Sequence, residues 1–166
     1  MKNTLILFAV GIVVIGGLIW VSRNQDNGGS NGANLSALSG GVLKAEETNY
    51  DFGNISMAAG KVKHLFSVKN TGTGALAITK VYTSCMCTSA MLINGSENIG
   101  PFGMAGHGFI PTIKSIVDTN GEAALEITFD PAAHGPAGVG KIARTVTVEN
   151  TTGDPLEFNF SAFVTP

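Results

Sequence analysis

The chain has 166 residues, enough for one ordinary domain with little to spare. Ten basic against twelve acidic side chains leave a formal charge of −2, which argues against a nucleic-acid binder, because that function needs a basic surface to displace counterions. Charged residues make up only 13% while glycine occupies 22 positions, and two cysteines cannot build a disulfide framework; a very apolar segment, many turns and a packed core are expected instead.

The apolar segment comes first. No charge occurs from Asn3 to Ser22, and Leu5 to Val21 is almost wholly apolar. As a helix rising ~1.5 Å per residue, residues 4–21 would span roughly 27 Å, close to the hydrocarbon thickness of a bilayer. Trp20 stands at the outer end, where an amphipathic ring suits the interface. The rival reading is a cleaved signal peptide, whose apolar core usually runs about 7–15 residues before a small-x-small site. This run is longer, and Trp20-Val21-Ser22-Arg23 is a poor cleavage context. Residues 1–21 are therefore read as one transmembrane helix (or a signal peptide, if cut). Lys2 and the amino terminus favour the amino end inside, against Arg23, so the rest would lie outside the cytoplasm.

Residues 22–41 hold five Gly, four Asn and four Ser with no apolar periodicity, the composition of a flexible linker. From 42 to 166 the pattern changes to period-2 alternation. Val62, His64, Phe66 and Val68 alternate with Lys61, Lys63, Ser67 and Lys69. Leu76 and Ile78 continue the theme, as do Leu125, Ile127 and Phe129. Ile142, Val146 and Val148 share a face with Arg144, and Leu156, Phe158, Phe160, Ala162 and Val164 close the chain. Turn residues separate the runs at Asn70-Thr71-Gly72, Asn94-Gly95, Asn120-Gly121, Asp130-Pro131 and Gly153-Asp154-Pro155. About seven such strands predict an immunoglobulin-like antiparallel β-sandwich over 42–166. Phe109-Ile110-Pro111-Thr112-Ile113 reads equally as strand or loop.

One echo recurs 80 residues apart. Val68-Lys69-Asn70-Thr71 precedes Leu76 and Ile78, and Val148-Glu149-Asn150-Thr151 precedes Leu156 and Phe158. Both copies are expected to be hairpins within one sandwich.

Tyr50-Asp51-Phe52-Gly53, Phe66-x-x-x-Asn70-x-Gly72, Leu76-x-Ile78, Ser84-Cys85-Met86-Cys87-Thr88 and Phe129-Asp130-Pro131 together resemble the bacterial domain-of-unknown-function family fifteen seventy-three, kin to the Hydin-type (ASH) immunoglobulin-like domains. The resemblance covers roughly residues 44–164, and the Ser-Cys-x-Cys-Thr element is its most specific part. Met86 stands where the family usually has glycine, and the Gly-rich stretch from Asn94 to Gly121 is longer than the family's short turn. The resemblance implies an extracytoplasmic sandwich in a bacterium and supplies no established activity.

Chemistry centres on Cys85 and Cys87. In an extended strand, residues i and i+2 face one side with Cα atoms about 6.5–7 Å apart, at the limit for a disulfide, so a mutual bridge would need a bent backbone. Unbridged, two thiolates on one side can share a soft metal ion. With His107 and His134 they would make a tetrahedron suited to zinc, and Met104 in place of one histidine would favour copper(I). A small buried pair or a reducible disulfide explains the same spacing. His64, on the apolar side of a Lys-rich strand, reads as a hydrogen-bonded boundary residue. No Gly-Lys-Ser/Thr follows Gly100–Gly108, so no phosphate loop is expected there. No catalytic set stands out, and the expected protein is not an enzyme but a membrane-anchored module contacting envelope or surface proteins. A metal or thiol-redox role at the cysteine pair is the alternative.

Overall fold

The computed structural model describes residues 38–166. The expected anchor at 1–21 and most of the expected linker lie outside the described residues. No helix among those residues is long and apolar enough to cross a membrane. In chain order the strands are β1 (Leu43–Ala45), β2 (Asn49–Ser56), β3 (Val62–Asn70), β4 (Leu76–Thr83) and β5 (Thr88–Asn94). They continue with β6 (Glu97–Phe102), β7 (Ser115–Val117), β8 (Glu122–Phe129), β9 (Gly140–Asn150) and β10 (Leu156–Thr165). One sheet runs β1-β3-β8-β5-β6 and the other β2-β10-β9-β4-β7. Ten strands therefore replace the seven or so expected, the surplus including the three-residue edge strands β1 and β7. The segment Phe109–Ile113 is loop, tied back by the Ile113 amide donating to the Thr79 carbonyl at 2.9 Å.

The alternation works as expected wherever a strand has one dry face. On β3 Phe66, Val68 and Asn70 are buried between exposed Leu65, Ser67 and Lys69. On β8 every second residue from Ala123 to Phe129 is buried, and on β10 Phe158, Phe160, Ala162 and Val164 are. These inward rows meet in one core, with Phe66 against Phe158 at 5.0 Å and Phe129 against Phe160 at 5.5 Å between ring centroids. His64 is a boundary residue, stacked on Tyr50 at 3.5 Å and hydrogen-bonded to Glu47 at 2.9 Å.

Two pairings depart from expectation. Every pairing in the β1-β3-β8-β5-β6 sheet is antiparallel as expected, whereas the other sheet is mixed, because β2 lies parallel to β10. Along that pair the register slips where Ser161 faces Asp51 and Phe163 faces Asn54. Gly53 takes the extra position with φ of 68°, a conformation that favours glycine. The Asp51 carboxylate accepts the Gly53 amide at 3.0 Å and the Ser161 hydroxyl at 2.9 Å, and these donors, with Lys141 nearby, hold its pKa below the usual carboxylate range.

The second departure concerns the echo. Only its later copy is a hairpin, with Val148 opposite Leu156. In the first copy β3 and β4 belong to different sheets, so the Asn70 turn crosses the sandwich. The local turns are nonetheless the same. Asn70 Oδ1 accepts the Gly72 amide at 3.0 Å and its Nδ2 donates to the Gly74 carbonyl at 2.8 Å. Asn150 makes the corresponding bonds to Thr152 at 3.0 Å and Asp154 at 3.2 Å. Asn70 has no exposed surface and binds three further groups: the Val42 amide (3.0 Å) and the carbonyls of Val117 (3.0 Å) and Asp118 (3.1 Å). The chain enters the sandwich beside this turn. Gly40 and Gly41 lie so close to it that a Cβ on Gly72 would overlap the Gly40 carbonyl oxygen.

Because the buried Asn70 side chain serves five backbone groups that would lose it together, Asn70→Ala is expected to cost roughly 3–5 kcal/mol in denaturant unfolding. Asn150→Ala, in the equivalent turn between β9 and β10 but reached by water, should cost about 1 kcal/mol. Asp51 contributes stability that is full above its unfolded pKa and is lost as pH falls through its lowered folded value. Ser161→Ala removes a donor and should raise the Asp51 pKa, read by a carboxyl NMR titration.

Candidate functional site

The two cysteines do not lie on an extended strand. Residues 84–87 form a tight turn joining β4 to β5, closed by the Thr88 amide donating to the Cys85 carbonyl at 3.1 Å. This bend brings the Cα atoms to 5.3 Å, inside the disulfide range, and Cys85 and Cys87 are bonded to each other. The buried Thr83 hydroxyl braces the turn from below, sharing its proton between the carbonyls of Cys85 (2.9 Å) and Thr88 (3.2 Å). Ser84 fastens it to β9, its amide donating to Thr145 O and its hydroxyl accepting from Thr145 N, both at 2.9 Å.

The turn is also a crossing between sheets, since β4 and β5 lie in different ones. A second crossing, from β8 to β9, begins at Asp130, whose amide donates to the Cys87 carbonyl at 2.9 Å, and carries His134. The disulfide therefore sits over the gap between the two sheets, at the end of the sandwich opposite the Asn70 turn.

Its surroundings are polar although it is buried, Cys85 at 8% and Cys87 at 3% exposure. His134 Nε2 lies 3.2 Å from Cys85 Sγ, Arg144 Nε donates to Cys87 Sγ at 3.4 Å, and the Cys87 amide donates to Cys85 Sγ at 3.3 Å. Thr88 Oγ1 is 3.6 Å from Cys87 Sγ. Of the metal set expected from sequence, the structure groups Cys85, Cys87 and His134, whose donor atoms lie within 4.8 Å of one another. His107 stays outside that group. It and Met104 line a shallow depression of about 330 Å³ with Met86, Phe109 and Ile110, on the flank of the same turn. Met86 is 62% exposed and Phe109 89%. Sequence reasoning passed over Arg144 as a site residue, although its cation stands in an apolar row with Ile142, Val146 and Val148, an unusual company that was a readable signal.

A bridge between positions i and i+2 constrains very little of the unfolded chain. For a three-residue loop the chain-entropy relation gives about 1.6 kcal/mol at 25 °C, against ~3 kcal/mol for a fifteen-residue one. The bridge thus adds little to the stability of the fold.

The family described as protein of unknown function (DUF1573) matches residues 43–99, which include the Tyr50–Gly53, Asn70–Gly72 and Ser84–Thr88 motifs. No curated protein matches the chain. Among solved structures it is similar to a protein of unknown function from Porphyromonas gingivalis W83, at 18% identity and a TM-score of 0.57, over 81% of this chain and 51% of that one. The likeness is one of fold, and this chain spans about half the length of that protein. Looser matches include the ASH/PapD-like domain 7 of human CEP192 (16% identity, TM-score 0.43, covering 74% and 84%). The CooA pilin subunit of enterotoxigenic Escherichia coli is another (13%, 0.43, covering 76% and 99%).

From the small loop it closes, replacing both cysteines by serine should lower unfolding stability by no more than about 1–2 kcal/mol. Denaturant titration of the double variant beside the parent measures this directly.

Proposed function

We propose that the chain is a membrane-anchored, extracytoplasmic immunoglobulin-like module that works by gripping another envelope or surface protein. The apolar run at residues 4–21 and the Gly/Ser/Asn-rich stretch after it support the anchor and tether, and with them a partner outside the cytoplasm. The fold confers no activity of its own. The observation that carries the contact reading is the Met86–Phe109 flank. A phenylalanine 89% exposed and a methionine 62% exposed border one depression, an arrangement that water disfavours and a partner's apolar side chain would cover. Met86 suits such a role, since its flexible thioether adapts to varied surfaces.

This flank lies at the end of the sandwich away from Gly40 and Gly41, where the chain enters. Contact through the outer face of β3 is less favoured, because its Leu65 stands between Lys63 and Lys69, whose ammonium groups pair with Glu126 and Glu122 at 2.8 Å.

A photo-crosslinking residue placed at 86, at 109 and, as control, at 65 in the full-length protein in intact cells tests the reading. Positions 86 and 109 are expected to capture one and the same extracytoplasmic protein, identified by mass spectrometry, and position 65 to miss it. Capture of a cytoplasmic protein, or equal yields from all three positions, would overturn it.

A further inference from the structure

We infer that Cys85–Cys87 is an exchanging disulfide that accepts two electrons from a dithiol, with Cys85 the sulfur attacked and Cys87 the sulfur released. This goes beyond the contact reading and does not depend on it.

The two sulfurs differ in their surroundings. Cys85 keeps the greater exposure and lies between the exposed Met86 and the exposed ring of His134. Cys87 is the deeper one and faces a cation, Arg144 Nε at 3.4 Å, with the Thr88 hydroxyl at 3.6 Å. A sulfur leaves faster when its surroundings favour the negative charge it acquires. Cys85 Sγ also takes the Cys87 amide and has His134 Nε2 beside it, but only Cys87, the deeper of two buried sulfurs, faces a fixed cation, so the departing charge is best placed there.

The step runs as two displacements. A thiolate of the dithiol attacks Cys85 Sγ; the bond between the two cysteine sulfurs breaks, and its electron pair leaves on Cys87 Sγ beside Arg144. The dithiol's second sulfur, as thiolate, then attacks the sulfur linked to Cys85, closing its own disulfide and releasing Cys85 as thiolate. His134 Nε2, 3.2 Å away, is placed to hand that sulfur a proton. The protein disulfide gains two electrons, the dithiol loses them, and its two protons pass to the cysteine sulfurs or to solvent.

A metal-holding role fits the same residues less well. The bridged sulfurs are not thiolates, and in the reduced form the guanidinium beside Cys87 would repel a bound cation. The donors also number three among the described residues, Cys85, Cys87 and His134.

The test uses the full-length protein in detergent, with dithiothreitol as the dithiol probe and thiol alkylation with mass spectrometry as the readout. Native protein should be reduced without loss of its far-ultraviolet spectrum and should re-form the bridge when oxidised glutathione is added after the probe is removed, the glutathione disulfide taking up the two electrons. Quenching early should trap the probe on Cys85. Arg144→Gln, which keeps a donor but removes the charge, should slow the first displacement about tenfold, and Arg144→Lys should recover most of the rate. His134→Ala, on an exposed segment, should leave that displacement unchanged and let the mixed disulfide accumulate, which keeps the test open if an Arg144 variant fails to fold. Reduction only on unfolding, trapping on Cys87, equal rates in Arg144→Gln and the parent, or a tightly bound zinc or copper(I) ion in the reduced protein would overturn the inference.

Discussion

A buried carboxamide governs the geometry of this sandwich. Where β3 leaves one sheet and β4 begins the other, Asn70 is fully buried although Thr71 and Thr73 of the turn meet water, and the amides and carbonyls that face inward must find partners inside the protein. Asn70 meets both needs at once. Its oxygen takes the amides of Val42 and Gly72, and its amino group serves the carbonyls of Gly74, Val117 and Asp118. Aspartate has no hydrogen to offer the three carbonyls, and a serine hydroxyl has one, so neither replaces it. Three separate stretches of chain are pinned at this point: the segment entering β1, the start of β4 and the end of β7. The direction of β4 follows, and with it the place where the cysteine turn emerges eight residues on.

The opposite end handles its polar groups in another way. Arg144 stands in the same row as Ile142, Val146 and Val148, and drawing a guanidinium from water toward a neutral disulfide returns little in the resting state. Its other recorded partner, the Ala143 carbonyl at 2.8 Å, satisfies one of five N–H groups. Only where the facing sulfur carries negative charge does this partly buried guanidinium gain an ion pair. Asn70 is matched to the structure as it rests, whereas Arg144 is matched to a form the disulfide reaches on reduction. That contrast separates a residue that holds a fold from one that is poised for chemistry.

Much of the framework was legible in the order of residues, and the reason is physical. A strand with one dry face must alternate, and β3, β8 and β10 do, so their inward rows could be named in advance. Parallel pairing of β2 with β10 could not, because it joins residues more than a hundred positions apart and leaves no local trace. β1 and β7, at three residues each, are too short for a period to show. At the site, the cysteines and His134 were visible as residue types, while the bend that bridges them was not. Spacing alone describes a straight strand, whereas the turn at 84–87 is held by the Thr83 hydroxyl and the Thr88 amide on the Cys85 carbonyl and by Ser84 on the backbone of Thr145 in β9. His107 and Met104 looked equivalent to His134 in sequence; the loop after β6 carries them to the flank of Met86 instead.

The two asparagine turns show how far local chemistry reaches. Their side-chain bonds match position for position, yet one turn closes a hairpin and the other crosses between sheets. What separates them is the strand that follows. Leu156-Glu157-Phe158 keeps a charged residue facing out, as a strand open to water on one side allows. Leu76-Ala77-Ile78 has no exposed surface at any of its three positions, so this segment must be covered on every side. It finds that cover between β9 and β7, in the sheet opposite β3. A hairpin with β3 would have competed with β8, which already pairs with β3 from Val62 to Lys69. The turn thus sets the local bend, and the burial demanded by the next three residues decides which sheet the chain joins.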